Sequence, residues 1–405
     1  MFDYINSLSL IQTILIFLAI LIINVAYMYL VRRHVERLFS RTNSIEQAMN
    51  RLRVLSQYTY IVLIAISSFF ITFLFMINLE EYLGESTSNV IVSMICSFAF
   101  LGLMITVNQL VISKTTNKIR DTEATMKEET GETVRGILFI FIPIVVVLTL
   151  MEIIPEDFLG DVGDFLLPIL IVMLIPMATA PFIGKMLKAS AMPESDSKDE
   201  LLQFLAKLKI ENVQLYTWPT KKKKIANALV TGFTKKKQIY ISDYMLENMT
   251  IEQVKAILAH EIGHIKKKHL WKRLGCIALV MSMITGLGFG MEWYENHVAT
   301  IPIWIGITLI IGALVIGFGI IFRYVSRVHE KEADAYVLKL NIDYRNFASA
   351  LLKLAELNHM TTKMGKLDES FQTHPSIARR VHWIIEQANG SIEEVTEYTD
   401  AVRTN

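Results

Sequence analysis

The chain has 405 residues, of which 52% are hydrophobic, with a net charge of +1 and a mean hydropathy of +0.40. A near-neutral charge argues against nucleic acid as the main partner, and apolar residues gathered in long blocks exclude an ordinary soluble protein of two or three domains. Its two cysteines, Cys96 and Cys276, both fall inside apolar blocks, so no disulfide framework is expected.

Blocks near the ~20 residues that cross a bilayer read as transmembrane helices. Seven are predicted: Leu8–Val31, Tyr58–Ile77, Val90–Ile112, Ile137–Ile154, Phe165–Ile183, Leu274–Phe289 and Ile301–Val325, the sixth short and glycine-containing. The first has no basic flank or small-residue cleavage site before it and reads as a retained anchor. The segment after it carries Arg32, Arg33, Arg37, Arg41, Arg51 and Arg53, and the segment after the third carries Lys114, Lys118, Arg120, Lys127 and Arg135. The connections "NLEEYLGESTS", "PEDFLGDVGD" and "MEWYENHVAT" hold neither Lys nor Arg. Positive loops stay cytoplasmic, which predicts an outside N-terminus and a cytoplasmic C-terminus in a multi-pass plasma membrane protein.

The expected organisation is a five-helix membrane domain over residues 1–187, a cytoplasmic segment over 188–273, two more spans over 274–325, and a second cytoplasmic segment over 326–405. "KASAMPESDSKDE" (188–200) reads as a linker and "DELLQFLAKLKI" as a short amphipathic helix. "VQLYTW", "IANALVT" and "QIYIS" read as brief strands. The lysine runs 221–224 and 235–237 are expected near anionic headgroups or in solvent.

"TIEQVKAILAHEIGHIKKK" reads as one helix, opened by a Thr250–Gln253 capping box, with Ile251, Val254, Ile257, Leu258 and Ile262 on a buried side. His260 and His264 then stand one turn apart on one face, the spacing with which two imidazoles share a tetrahedral zinc. Glu261 sits beside them as general base toward a water that the metal activates. A third ligand is needed. His269 is one residue away from the position at which some zinc proteases place a third histidine, and is set aside. Glu330 in "SRVHEKEAD" completes a His-His-Glu set of the open catalytic kind, and Asp334, one turn on, can accept the outer N–H of a ligating imidazole. Glu332 is expected in solvent and His329 is badly directed. Two predicted spans separate His260 from Glu330, so both return to one side of the membrane.

"HEIGH", then two spans, then "SRVHEKEAD", together with "NALVTG" (Asn227–Gly232) and "HPSIARR" (His374–Arg380), resembles the integral-membrane gluzincin peptidases that include HtpX and the CAAX prenyl protease. The resemblance covers roughly residues 200–385. It implies a mainly α polytopic protein with about seven transmembrane helices and a small cytoplasmic zincin-like α+β catalytic domain built from two segments. It further implies one Zn2+ per chain on His260, His264 and Glu330, with Glu261 activating water. His374 would lie near the developing oxyanion, Asn227 on the strand along the substrate cleft, and Arg380 would hold that region or the substrate. The span count is closer to the CAAX-protease branch, whose helices enclose an intramembrane chamber.

The resulting expectation is a zinc metalloendopeptidase acting on membrane or membrane-associated proteins or peptides, with protein substrate and membrane lipids as partners. A signal-transducing metallopeptidase would carry an extracellular sensor domain, and here the outside loops are short. A non-catalytic membrane scaffold would have lost Glu261 or a ligand.

Overall fold

The computed structural model describes residues 10–56, 87–153, 160–231, 237–362 and 374–404. The chain divides into two compact units, Met1–Pro155 with Lys222–Lys224, and Glu156–Lys221 with Ile225–Asn405.

The first unit is helical: α1 (Leu10–Thr42), residues 45–56, α2 (Thr87–Arg120) and α3 (Met126–Ile153). Aliphatics such as Ile22, Ile23 and Leu30 stay exposed on α1, as lipid-facing side chains do. A helix satisfies its own backbone, which is what lets such a segment lie in hydrocarbon. At one end Met28, Val31 and Val35 bury against Ala48, Leu52, Ile112 and Ile119. Between α1 and α2 the buried Asn24 and Asn108 exchange side-chain amide hydrogen bonds of 2.6 and 3.2 Å, pairing two groups that would be costly alone in an apolar surround. The lysines 222–224 are not simply solvated: Lys222 reaches Glu128 at 2.6 Å, Lys224 reaches Asp121 at 3.0 Å, and Lys223 pairs with Glu132.

The second unit opens with α4 (Gly160–Thr179), a 3-10 turn (Ala180–Phe182) and α5 (Ile183–Leu187). Next come β1 (Ser190–Ala191) and α6 (Asp196–Lys207), so the expected linker is largely structured. Ser195 accepts the Lys198 N–H there as helix cap. β2 (Val213–Trp218), β3 (Ala228–Thr231) and β4 (Lys237–Ser242) complete a sheet of order β1-β2-β4-β3, with β2 and β4 parallel and the other two pairs antiparallel. Leu215, Ile239 and Val230 stand abreast across it, and β3 is left at an edge.

α7 (Asp243–Asn248) and α8 (Ile251–Lys266) follow. The expected capping box is present on α8, with Thr250 and Gln253 bonding reciprocally. Val254, Leu258 and Ile262 are buried against the core that holds Ile239, Leu201 and Phe347. Each such side chain contributes roughly 1.5–3 kcal/mol on burial. α9 (His269–His297) runs well past the short span expected for it. α10 (Ile303–Leu314), a π-helical segment (Val315–Ile321) and α11 (Phe322–Lys339) form one continuous run, followed by α12 (Tyr344–Leu357), α13 (Ile377–Gln387) and α14 (Ile392–Thr404).

Among the described residues five helices are long and apolar enough to cross a membrane: Ile14–Thr42, Ile95–Arg120, Met126–Val147, His269–His297 and Thr308–Lys339. The expected second span, Tyr58–Ile77, lies outside the described residues. The expected fifth corresponds to α4, of 20 residues, after which Pro181 sits in the 3-10 turn.

Candidate metal centre

α8 packs lengthwise on α11, which sets two helix faces opposite each other. From α8 come His260 and His264, and from α11 comes Glu330, 2% exposed. Their ligand atoms converge: His260 Nε2 to His264 Nε2 is 3.1 Å, and each of these nitrogens lies 3.4 Å from a Glu330 carboxylate oxygen. Donors on a tetrahedral zinc with bonds of 2.0–2.1 Å are separated by about 3.3 Å. The triangle therefore fits that ion without rearrangement.

Burial and the Arg380 guanidinium push His260 down, but its bonds to Asp334 and Glu330 outweigh them and raise it to about 9. Burial and the neighbouring His260 hold His264 down to about 3.

Each imidazole is held from behind. His260 Nδ1 donates to Asp334 Oδ1 at 2.9 Å, which turns its Nε2 inward, toward His264 and Glu330. Asp334 is in turn gripped by Arg380 from α13, Nε to Oδ2 at 2.9 Å and Nη2 to Oδ1 at 2.6 Å. The Arg380 side chain is only 10% exposed, its fork on the buried carboxylate, and it also lines the cavity onto which His260, His264 and Glu330 open.

His264 is backed differently. Its Nδ1 lies 2.8 Å from Nδ1 of His269, whose Nε2 lies 2.8 Å from Glu332 Oε2. His269 therefore touches His264 without being one of the three converging residues. Glu332, expected in solvent, is engaged by His269 and by Lys272 at 3.2 Å. His329 stacks on His269 with ring centroids 4.1 Å apart. The placement of His269 depends on Lys268, which takes a left-handed conformation (φ 56°) and reverses the chain between α8 and α9. No glycine marks that turn, so sequence reasoning had no signal for it.

The three converging donors open onto a cavity of about 470 Å3 that Glu261, His374 and Asn227 also line. Burial, reinforced by Glu330, keeps the Glu261 carboxyl above the usual carboxylate range, against the opposing pull of His260, Arg380 and His374. His374, 59% exposed, brings Nε2 within 3.2 Å of Glu330 Oε1. Asn227 precedes β3, its backbone N–H donating to Ser242 Oγ at 2.9 Å and its own Oδ1 accepting from the Ala228 N–H at 2.9 Å. Leu229, Ile257, Ile265 and Leu351 supply apolar walls. The arrangement sets three residues that could hold a metal ion, an adjacent carboxyl group and a further imidazole around one open space.

The model of peptidase family M48 matches residues 193–388, a span that contains every one of these groups. That span, just under half of the chain, is similar to a peptidase family M48 domain. The chain is 27% identical over 257 residues to CAAX prenyl protease 1 of Saccharomyces cerevisiae, covering 56% of this chain and 55% of that protein. It is 30% identical over 171 residues to protease HtpX of Legionella pneumophila, covering 40% and 58%. The matches thus span little more than half the length of these relatives. The crystal structure of S. mikatae Ste24p shares the fold, with a TM-score of 0.59 at 20% identity over 93% of this chain and all of that one. Together with the apolar helices, these matches make the chain similar to the HtpX and CAAX prenyl protease group of membrane proteases.

Proposed function

We propose that the chain is a zinc-dependent endopeptidase that hydrolyses peptide bonds of membrane or membrane-associated proteins and peptides at the cytoplasmic face of a plasma membrane. The observation that carries this reading is the convergence of His260, His264 and Glu330 on the cavity that Glu261 lines. Three protein ligands leave a fourth position open, as catalytic rather than structural zinc sites do.

A zinc ion on these residues would supply Lewis acidity for the scissile carbonyl and lower the pKa of an attacking water. The remaining work belongs to the chain. Glu261 takes a proton from the water as the C–O bond forms and delivers it to the amine nitrogen as the C–N bond breaks, with no covalent intermediate. His374 donates a hydrogen bond toward the oxygen on which negative charge develops. β3, the edge strand along the cavity, offers backbone groups to an extended substrate, with Asn227 at its start. Arg380 acts at one remove, through Asp334 and His260. The lysine- and arginine-bearing loops favour a cytoplasmic site and an outside N-terminus.

The test compares purified wild type with Glu261→Gln for bound zinc and for cleavage of an unfolded protein and of a lipidated peptide. Both proteins should hold about one zinc, and only the wild type should cut. The substrate cut faster separates turnover of damaged membrane proteins from processing of lipid-modified peptides. A wild type that binds no zinc would sink the ligand assignment.

A further inference from the structure

We propose that His269 is a positioning residue that fixes the tautomer of the ligand His264, and that Glu332 sets the direction of the bond through which it does so. The inference rests on the metal reading above.

The geometry leaves one consistent assignment of protons. His269 Nε2 faces the Glu332 carboxylate at 2.8 Å, and a carboxylate only accepts, so this nitrogen carries the hydrogen. In the neutral ring the opposite nitrogen, Nδ1, then holds a lone pair. That lone pair meets His264 Nδ1 at 2.8 Å, so His264 must donate from Nδ1. Its Nε2 is left as a lone pair directed at His260 Nε2 and Glu330, the position a metal ligand requires. Reversing the chain would set two lone pairs against each other at Glu332. The two ligating histidines are thus oriented by different means: His260 by the buried Asp334 directly, and His264 by Glu332 relayed through a second imidazole.

The relay is built rather than incidental. His269 is 1% exposed, held at the start of α9 by the left-handed turn at Lys268 and covered by the stacked His329 ring at an interplanar angle of 10°. Lys272 donates to the same Glu332 Oε2 at 3.2 Å.

The experiment measures zinc affinity, by competition against a chelator, together with the visible spectrum of the cobalt-substituted protein and the Tm of each metal-free variant. Partners behind a ligating histidine typically contribute 10- to 100-fold in metal affinity. His269→Ala should therefore weaken zinc by that factor and alter the cobalt bands. His269→Gln, whose carbonyl can accept from His264 while its amide donates to Glu332, should stay within about threefold of wild type. Glu332→Ala, at a half-exposed helical position, removes the acceptor and should weaken zinc without lowering the metal-free Tm. Zinc affinity within twofold of wild type in a folded His269→Ala protein overturns the proposal. So does a folded Gln variant as weak as the Ala variant, which would mark a packing role. If His269→Ala does not fold, Glu332→Ala decides in the same way: weakened zinc supports the relay and unchanged zinc overturns it. A wild type that takes up no zinc defeats the metal reading itself, whereas normal wild-type binding with unaffected variants defeats only the relay.

Discussion

Gly263 of α8 lies against Ala333 of α11 so closely that a Cβ on it would come within 3.1 Å of the Ala333 Cα and 3.2 Å of the Tyr336 Cβ. Gly263 directly precedes His264, and Ala333 lies between Glu332 and Asp334, so this contact sets the separation of the two ligand-bearing helices. Alanine in a helix interior normally gains about 1 kcal/mol over glycine, while overpacking costs about 1–3 kcal/mol. The obstacle is backbone, which cannot swing aside. Gly263→Ala should therefore lower both Tm and zinc affinity, and Gly263→Val should do so more strongly. A stabilised Ala variant with wild-type zinc affinity would show that α11 shifts without cost.

Glu261, the general base of the proposed function, also bears on stability. Burial raises its carboxyl pKa above the ordinary value, with Glu330 adding to the effect. A raised carboxyl binds its proton more tightly in the folded state. Its contribution to stability is complete below the unfolded pKa of about 4.3 and is lost as pH rises through the folded value. Metal-free Glu261→Gln should accordingly melt higher than wild type at pH 7.5, with the gain shrinking toward pH 4. Its peptidase activity should fall about 10^2- to 10^4-fold, the usual worth of a general base. Melting curves across pH check the first expectation and initial rates the second.

His374 stands at the cavity with its side chain 59% exposed and touches Glu330 without belonging to the converging triangle. His374→Ala should keep one zinc per chain while kcat drops about 10^2- to 10^3-fold, as when a donor to a developing oxyanion is removed. KM should move only a few-fold. A rise in KM with kcat unchanged would instead assign His374 to substrate binding.

In the first unit, the Asn24–Asn108 pair invites a double-substitution cycle. Either single change to Leu strands the other amide among apolar helices and should cost about 1 kcal/mol. Asn24→Leu with Asn108→Leu should be less destabilised than the sum of the singles, by about 0.6 kcal/mol, the mean coupling measured between membrane helices. Strict additivity in detergent unfolding would deny the coupling.

Much of the site was legible because its information is local. The i, i+4 spacing of His260 and His264 requires only a helix, and the Thr250–Gln253 box that starts it is a pattern of four residues. Glu330 could be matched because an even number of apolar runs separates it from His260. The three strands were readable from β-branched and aromatic runs, and residues 213–218 were matched to the residue. The two-residue β1 was missed, since a strand that short has no periodicity of its own and exists only by pairing with Thr217 and Tyr216.

What the amino-acid sequence determined by itself is the chemistry that periodicity and hydropathy encode: long apolar helices, a metal-ligand pair one turn apart, and a carboxylate beside it. Asp334 behind an imidazole was expected from its spacing to Glu330, but only the tertiary structure decided what grips Asp334 and what stands behind His264. The fork of Arg380 on Asp334 joins residues 46 positions apart, and the bond of His269 to Glu332 joins residues 63 apart. The outer support of His264 depends further on a left-handed lysine that no composition rule marks. Contacts of that kind are set by how helices pack and where the chain reverses. Those outcomes come from burial summed over the whole core, not from any short stretch of residues.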